Sequence, residues 1–517
     1  MMPETVLDTP LLWGLVALQI AMGGFDVIVH HELTERLAWK ANAGRELRLH
    51  AWRNVFYAVL FAVFAFTAPT GWLAIALLVV LAIEIVITLI DFVEEDMTRK
   101  LPATERVLHT LLAINYGAIL ALIGPQIIQW AGQPTGLFWV DYGWGSVVLM
   151  VGSVGVAVFA ARDFHTSQRS ARLTPQNITG VADLLGRVGR KSVLVTGGTG
   201  FVGSALVAAL VKAGHDVTVL TRDPSRVGHL ATPVRIVCRL EDIPVDQHFD
   251  AIVNLAGTPV AGWLWTPSYR RRILASRLRG IAGIRRLVAR LWYKPAVIIG
   301  ASAVGAYGAR DDEMLTEADR MGPRTSFSAR SCRAVERAMA GLGAATGTRV
   351  VTLRIGLVLG RDGGLLGRML PAFDLGLGGP IGSGRQWMSW IALADLVRLI
   401  AFAITSKDLS GVVNATAPHP VRNAEFARAL GQALGRPAIV PLPALPLRVV
   451  LGAFAEELLL TGQRVLPLKA EAAGFRFQHR DLEAALADTL GAAGVARVAS
   501  GQRAASDPAA GLRVSGS

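Results

Sequence analysis

The chain has 517 residues, of which 52% are hydrophobic and only 18% charged, and its mean hydropathy is +0.43. This composition excludes a disordered protein and speaks against a wholly water-soluble one, while the length is a soft prior for roughly two to four domains. The net charge of +13 is unevenly spread, and the two cysteines, Cys238 and Cys332, exclude a disulfide scaffold or a cysteine-only zinc site and fit a reducing compartment.

Residues 1–161 read as an all-α helical membrane domain. Apolar runs at roughly 11–29, 52–68, 72–90, 107–128 and 144–161 approach the ~20 helical residues that cross a bilayer. The first is not a cleaved signal peptide: Glu4 and Asp8 precede it where Lys or Arg would stand, and no small-residue cleavage site follows. Arg36, Lys40, Arg45, Arg48 and Arg53 fall between runs one and two, and Arg99, Lys100 and Arg106 between runs three and four. The other short connections carry none. All these cations lie on one side of a five-span arrangement, which is the cytoplasmic side. The odd span number then places the remainder of the chain there too, on the inner (plasma) membrane of a bacterial-type cell. A buried, soluble helical domain is the weaker alternative, because soluble helices rarely lack charge for this long.

Polar residues inside these runs need a reason, since a carboxylate at mid-span costs about 2.5–3.5 kcal/mol on insertion scales. Asp26 and His30 are one turn apart; His50, Asn54 and Tyr57 share a face; Glu84, Thr88, Asp91 and Glu95 form a stripe; His109 and Tyr116 share another face. Interhelical salt bridges to the neighbouring arginines are the plainer reading. A metal, haem or quinone site using His30, His50, Glu84, Asp91 and His109 is the functional one, although no spacing among them is a metal signature.

Residues 162–190 are polar and basic and read as a linker with one short helix. From Lys191 short β-branched strands alternate with Ala/Leu/Arg helices to about 490, which predicts an α/β Rossmann-type, doubly wound parallel sheet. Pieces at about 360–390 and 418–490 form a smaller substrate subdomain. The Ala/Gly/Ser/Arg tail, 491–517, is expected to be disordered.

Strand 192–196 ends in Thr196 and runs into Gly197-Gly198-Thr199-Gly200-Phe201-Val202-Gly203, which opens a helix. This order of strand, glycine turn and helix places free N–H groups and a helix N-terminus against a pyrophosphate. The second strand, 216–220, is followed by Thr221-Arg222. An acid there would bind the ribose diol of NAD; Arg222 offers a cation to a 2′-phosphate, so NADP(H) is expected in preference to NAD(H). Asn254, Ala256 and Gly257 close the strand that would pass beneath the cofactor, and Ser302 follows the strand at 296–300.

At these residues the chain resembles the extended short-chain dehydrogenase/reductases, and within them the atypical epimerase-like branch described as nucleotide-sugar epimerase family proteins. The resemblance covers about 191–490. It rests on TGGTGFVG at 196–203, NLAG at 254–257, the W-T-x₅-R-x₃-S-R pattern at 265–277, Tyr307-Gly308, the segment 353–391, Asp395, Pro420-Val421-Arg422-Asn423, Gly462-Gln463-Arg464 and Ala473-Gly474-Phe475. It implies a hydride-transfer enzyme with a Tyr–Lys pair four apart on a helix and a Ser polarising the carbonyl. Here Ser328 stands at the Tyr position and Cys332 at the Lys position, a replacement the resembled branch shares, together with an arginine, Arg277, for an upstream Asn.

The catalytic candidates are accordingly Ser302, Cys332, whose thiolate the nearby Arg330 and Arg333 would favour, and Tyr307. Arg272, Arg277, Trp387 and Trp390 are candidates for substrate contact, the tryptophans flanking the glycine-rich 376–384 loop. The basic helix 266–292 suits a solvated face or an anionic lipid leaflet better than nucleic acid, and no nucleic-acid partner is expected. The leading expectation is a membrane-anchored, NADP(H)-binding oxidoreductase or epimerase acting on a small or lipid-like substrate. A non-catalytic NADP(H)-sensing module and a membrane redox protein passing electrons from NADPH to a cofactor or quinone in the helical domain stay open.

Overall fold

The structure is a computed structural model that describes residues 9–41, 43–98, 101–173, 178–185, 189–260 and 264–491. Arg99 and Lys100 of the charge argument, and the tail from 492 onward, lie outside the described residues. The chain divides into two units, Met1–Pro175 and Gln176–Ser517.

In the first unit Thr9 caps α1 (Pro10–Phe25) through its hydroxyl, with Pro10 at the first helical position, where its missing N–H costs nothing. The helix then widens into a ten-residue π-helical stretch, Asp26–Glu35, which ends at Arg36 in a left-handed conformation. Next come α2 (Gly44–Phe66), strand β1 (Thr67–Thr70), α3 (Trp72–Thr98), α4 (Ala103–Ala131), β2 (Gly136–Trp139) and α5 (Trp144–Arg172). β1 pairs antiparallel with β2. Gly71 turns the chain from β1 into α3 at φ 62°, where a Cβ would meet the Thr135 hydroxyl at 2.3 Å, so glycine is required. The helices extend beyond the apolar runs, because an apolar run measures hydrophobic length and helical hydrogen bonding continues into the polar ends.

This unit is inverted in polarity. Asp26, His50, Glu84, Asp91, Glu95 and Glu105 are buried, whereas Leu18, Val59, Ile75, Val86, Ile114 and Val151 face outward and are exposed.

The second unit starts earlier than the linker reading placed it. The expected linker begins as helix, since α5 continues to Arg172. Its short helix α6 (Val181–Leu185) packs Val181 and Leu185 fully into the sheet core, because V-A-D-L-L presents two apolar residues one turn apart.

The core is a seven-stranded sheet whose paired strands are all parallel: β3 (Ser192–Thr196), β4 (Asp216–Leu220), β5 (Arg235–Val237), β6 (Ala251–Asn254), β7 (Val297–Ala303), β9 (Arg349–Ile355) and β13 (Gly411–Ala415). Their order is β13-β9-β7-β6-β3-β4-β5. The central strands are apolar on both faces, as a doubly covered sheet demands: Val193 and Val195 face one cluster, Leu194 and Ile252 the other. Helices α7 (Phe201–Lys212), α8 (Pro267–Arg290) and α9 (Phe327–Thr346) connect and cover the strands.

Smaller pieces complete the unit: β8 (Met314–Leu315), β10 (Leu357–Leu359), α10 (Gly364–Asp374), β11 (Trp387–Met388), β12 (Trp390–Ala392), α11 (Leu393–Thr405) and α12 (Asn423–Leu434). Strand order reverses between β3 and β6, each strand running outward in chain order from there. In open sheets ligands bind in the crevice at the carboxyl ends of the two strands flanking that switch point.

Candidate active site

Thr196 and Asn254 are register partners at the carboxyl ends of β3 and β6, and the Thr196 hydroxyl donates to Asn254 Oδ1 at 2.7 Å. Residues 197–200 make the turn from β3 into α7. Gly197 stands at φ 75°, and a Cβ on it would lie 2.8 Å from the Ala256 nitrogen. A Cβ on Gly203 would lie 2.1 Å from the Gly197 carbonyl oxygen, so the first turn of α7 rests directly on the strand–turn backbone. Phe201 packs against the glycines at 360, 363 and 364 and, with Val202, against the core. Thr199 and Gly200 are left at the lip of the turn. A cradle that side chains would fill, opposite a helix N-terminus, fits a dinucleotide pyrophosphate. Arg222 follows β4 in an exposed position, with no hydrogen bond or ion pair among the described residues. Gly257 passes so close to Arg277 that a Cβ would meet its guanidinium carbon at 3.0 Å.

Beside this edge lies a cavity of about 260 Å³. Ser302, Cys332 and Arg277 all line it, within walls that include Trp265, Ile273, Phe327, Val335, Leu357 and Leu458. Ser302 Oγ, at the end of β7, donates to Glu336 Oε1 at 2.9 Å. Glu336 in turn receives Arg354 Nε and Nη2, each at 2.9 Å, in a buried fork-to-fork pair. The Ser302 hydroxyl is therefore fixed in direction by a charged pair rather than free to rotate.

Cys332 sits on α9 and faces the same cavity, its thiol 3.6 Å from the Ala303 carbonyl. Burial pushes this thiol above its ordinary pKa, and the hydrogen bonds with Ser302 and Ala303 and the charge of Arg277 oppose that only in part. Arg330 and Arg333, expected to favour the thiolate, do not act on it. Arg333 donates to the Gly322 carbonyl at 2.7 Å and Arg330 lies over the Phe327 ring, because helical spacing turns both away from the face that carries Cys332. The cation that faces the sulfur is Arg277, held by the Thr258 and Ile273 carbonyls at 2.9 and 3.0 Å. No carboxylate pairs with it among the described residues.

The remaining candidates separate cleanly. Tyr307 is fully buried, outside the cavity lining, its hydroxyl between the Thr316 carbonyl and Asn414 Oδ1 at 2.8 Å each. It stacks under Arg354, at 4.6 Å, so it supports the arginine that holds Glu336. Arg272 is exposed on α8 and covers the Tyr269 ring. Trp387 lines the cavity, flanked by Arg422 and Arg464. Trp390, on the next strand β12, is fully buried outside the cavity lining and donates to the His419 carbonyl.

Three contributors were missed by sequence reasoning. Glu336 and Arg354 are an acid on a helix and a base on a strand, with no local signal joining them. Glu457, from the C-terminal piece, also lines the cavity and caps α9: its carboxylate accepts from the Phe327 and Ser328 N–H groups and the Ser326 hydroxyl. Burial pushes the Glu457 carboxyl up, but those hydrogen bonds outweigh it and hold it below its ordinary range. Ser331 Oγ and Gln386 Oε1 also line the cavity and have no hydrogen-bond partner among the described residues.

Of the candidates in the helical unit, His50 and Asp91 meet at 3.2 Å and His30 meets Asp26 at 2.7 Å. His109 lies 3.0 Å from Asp26 as well. Glu84 stands apart, accepting from Thr88 and Tyr116 at 2.7 and 2.5 Å.

The sheet order and the glycine turn define a nucleotide-binding domain of the short-chain dehydrogenase/reductase type. The model of the NAD dependent epimerase/dehydratase family matches residues 193–415, and that of a domain of unknown function, DUF1731, matches 442–489. An epimerase family protein of Mycobacterium bovis is 41% identical over 298 residues, covering 57% of this chain and 96% of the relative. The epimerase family protein YfhF of Bacillus subtilis is 35% identical over 302 residues, covering 58% and 98%. Among solved structures, the human epimerase family protein SDR39U1 (isoform 2) with NADPH is 33% identical, with a TM-score of 0.52, covering 58% of this chain and 99% of that one. The chain belongs to this epimerase family.

Proposed function

We propose that this chain is a membrane-anchored, NADP(H)-binding oxidoreductase or epimerase whose substrate is small or lipid-like and reaches the cavity from the cytoplasmic side. The observation that carries the reading is the cavity itself: a largely apolar chamber lined by Ser302, Cys332 and Arg277, the last without a carboxylate partner among the described residues, the composition expected of a small-molecule site. The glycine cradle and Arg222 suit a phosphorylated dinucleotide, and the human relative was solved with NADPH.

Bound NADPH would supply hydride to a carbonyl carbon. Ser302, whose own proton is committed to Glu336, would offer its oxygen only as an acceptor, and Arg277 would donate to the carbonyl oxygen and stabilise negative charge developing there. Cys332, un-ionised at neutral pH, would hold a proton beside that oxygen rather than act as a nucleophile.

Anchoring is supported by five helices long and apolar enough to cross a membrane, Pro10–Trp39 through Trp144–Ser170, whose outward faces expose large aliphatic side chains that water would leave unfavourably hydrated. The Lys and Arg bias of the connections supports the cytoplasmic placement. A binding-only, sensing reading is favoured by one observation: the Tyr–Lys pair is replaced, and Tyr307 lies outside the cavity.

The test is NADPH and NADH titration of the full-length, detergent-purified protein, with mass spectrometry of small molecules that copurify. Tight NADPH binding, weakened about tenfold for NADPH but not NADH by Arg222→Ala, is expected from loss of one exposed phosphate contact. No binding of either nucleotide by folded protein refutes the reading. Binding without NADPH turnover across a broad panel of carbonyl substrates favours sensing.

A further inference from the structure

Among the described residues, the groups of buried histidines and carboxylates that come close together lie in the helical unit, and the epimerase site does not use them. Asp26 opens the π-helical stretch that also carries His30 and His31. His50 comes from α2, Asp91 and Glu95 from α3, and Glu105 and His109 from α4. All are buried. The sequence places Asp26, His30, His50, Asp91, Glu95 and His109 in its polar stripes; His31 and Glu105 join them through the fold.

The contacts converge rather than pair off. Asp26 Oδ2 faces two imidazole nitrogens, His109 Nε2 at 3.0 Å and His31 Nε2 at 3.5 Å. His31 Nε2 is in turn 3.8 Å from Glu105 Oε1. Ligand atoms of Asp26, His31, Glu105 and His109 all lie within 4.8 Å of one another, and so do those of His31, His50 and Glu95. His50 Nε2 likewise faces two carboxylates, Asp91 Oδ2 at 3.2 Å and Glu95 Oε1 at 3.1 Å. Glu95 reaches both groups, its other oxygen lying 3.3 Å from His109 Nδ1.

A hydrogen-bond network directs each N–H at one acceptor. A carboxylate oxygen can accept from two donors, but one ring nitrogen facing two carboxylate oxygens, as His31 Nε2 and His50 Nε2 both do, is instead the pattern of atoms arranged about a common point. Ligands bound at about 2.1 Å stand about 3.0 Å apart at a right angle and about 3.4 Å apart in a tetrahedron; the contacts of 3.0, 3.5 and 3.8 Å lie near this range, and the whole group within 4.8 Å would need only a modest contraction. Imidazole and carboxylate without thiolate select a divalent first-row ion over copper(I) or an iron–sulfur cluster. A supporting shell is also in place. His30 Nδ1 holds the other Asp26 oxygen at 2.7 Å while its Nε2 meets Thr104, and the Phe92 ring stacks on His109, as ligand-orienting groups do. A dication would offset the cost of several carboxylates withdrawn from water.

We propose that the helical unit binds a divalent first-row transition-metal centre at Asp26, His31, Glu105 and His109, with His50 and Glu95 forming an adjoining second position. The proposal is independent of the epimerase reading.

The full chain, purified in detergent through a tag that binds no metal, is analysed for iron, manganese, zinc and cobalt by plasma mass spectrometry. One to two equivalents per chain are expected, falling at least about fivefold in Asp26→Asn and in His109→Gln, while the exposed control His165→Ala keeps its metal. Should either variant fail to fold, cobalt(II) titration of the chelator-treated wild-type protein serves instead: a saturable visible ligand-field band is expected, competed away by zinc. Metal below about one-tenth equivalent from every supplemented medium together with no cobalt band overturns the proposal. So does a metal content that both folded variants retain in full.

Discussion

Gly203→Ala is the sharpest probe of the nucleotide cradle, because its effect can be worked from the backbone. The added methyl would stand 2.1 Å from the Gly197 oxygen and 2.8 Å from its carbonyl carbon, whereas non-bonded carbon contacts settle near 3.5–4.0 Å. The obstacle is main chain in a tight turn, so α7 must move away by about 1 Å or the turn must open. Either movement withdraws the helix N-terminal N–H groups from the pyrophosphate. Charge-assisted hydrogen bonds contribute about 1.5–3 kcal/mol each, so losing one or two weakens NADPH binding about 100-fold. Gly200→Ala is the internal comparison. Its methyl would lie 3.2 Å from the same oxygen, at φ −86°, and a shift of a few tenths of an ångström relieves it; a loss of no more than about fivefold is expected. Gly198→Ala falls between, since it meets the methyl groups of Val219 at 2.8 and 3.1 Å. NADPH fluorescence titration, with circular dichroism to establish folding, ranks the three. A folded Gly203→Ala protein binding NADPH within threefold of wild type, or a Gly200→Ala protein as damaged as Gly203→Ala, refutes the reasoning.

Cys332 is un-ionised at neutral pH because burial raises its pKa, so its alkylation should be slower than that of exposed Cys238 and should climb with pH; a plateau below pH 8 would contradict this. Glu336→Gln leaves Arg354 buried without its counter-charge and should destabilise the second unit by about 3 kcal/mol, read as faster hydrogen exchange in β7 and α9. Recovery in Glu336→Gln/Arg354→Met would identify the stranded charge as the cause. His479 is pushed up to about 9 by the carboxylates of Asp395 and Asp488, 3.4 and 3.3 Å from its ring nitrogens. A raised folded-state pKa stabilises fully below the unfolded value near 6.5 and is lost as pH rises through 9, so melting temperature should fall between pH 7 and 10 by the equivalent of roughly 1 kcal/mol after solvent screening. A His479→Gln protein showing the same fall would rule out this residue as its source.

Much of the molecule was written locally. The glycine turn, the last residue of its strand and the first residues of its helix occupy eight consecutive residues, 196–203, and needed no distant partner to be recognised. The apolar runs forecast the five long helices because hydrophobic length is a property of contiguous sequence. Ser302 and Cys332 could be placed by counting along elements, and both line the cavity.

What failed to show in the sequence depends on which faces meet. Arg330 and Arg333 flank the thiol in the chain and point elsewhere, while Arg277, 55 positions earlier by residue number, supplies the cation that reaches it. Glu336, Arg354 and Glu457 became parts of the site only when a helix, a neighbouring strand and the C-terminal piece closed around one chamber. In the helical unit the polar stripes were legible, but their convergence was not: the π-helical stretch beginning at Asp26 and the packing of α2, α3 and α4 decide that Glu95, Glu105 and His31 stand together while Glu84 turns to Tyr116. Sequence determined the elements and the chemistry each could carry. The tertiary structure chose the partners, because side-chain direction and burial are set by the elements packed opposite.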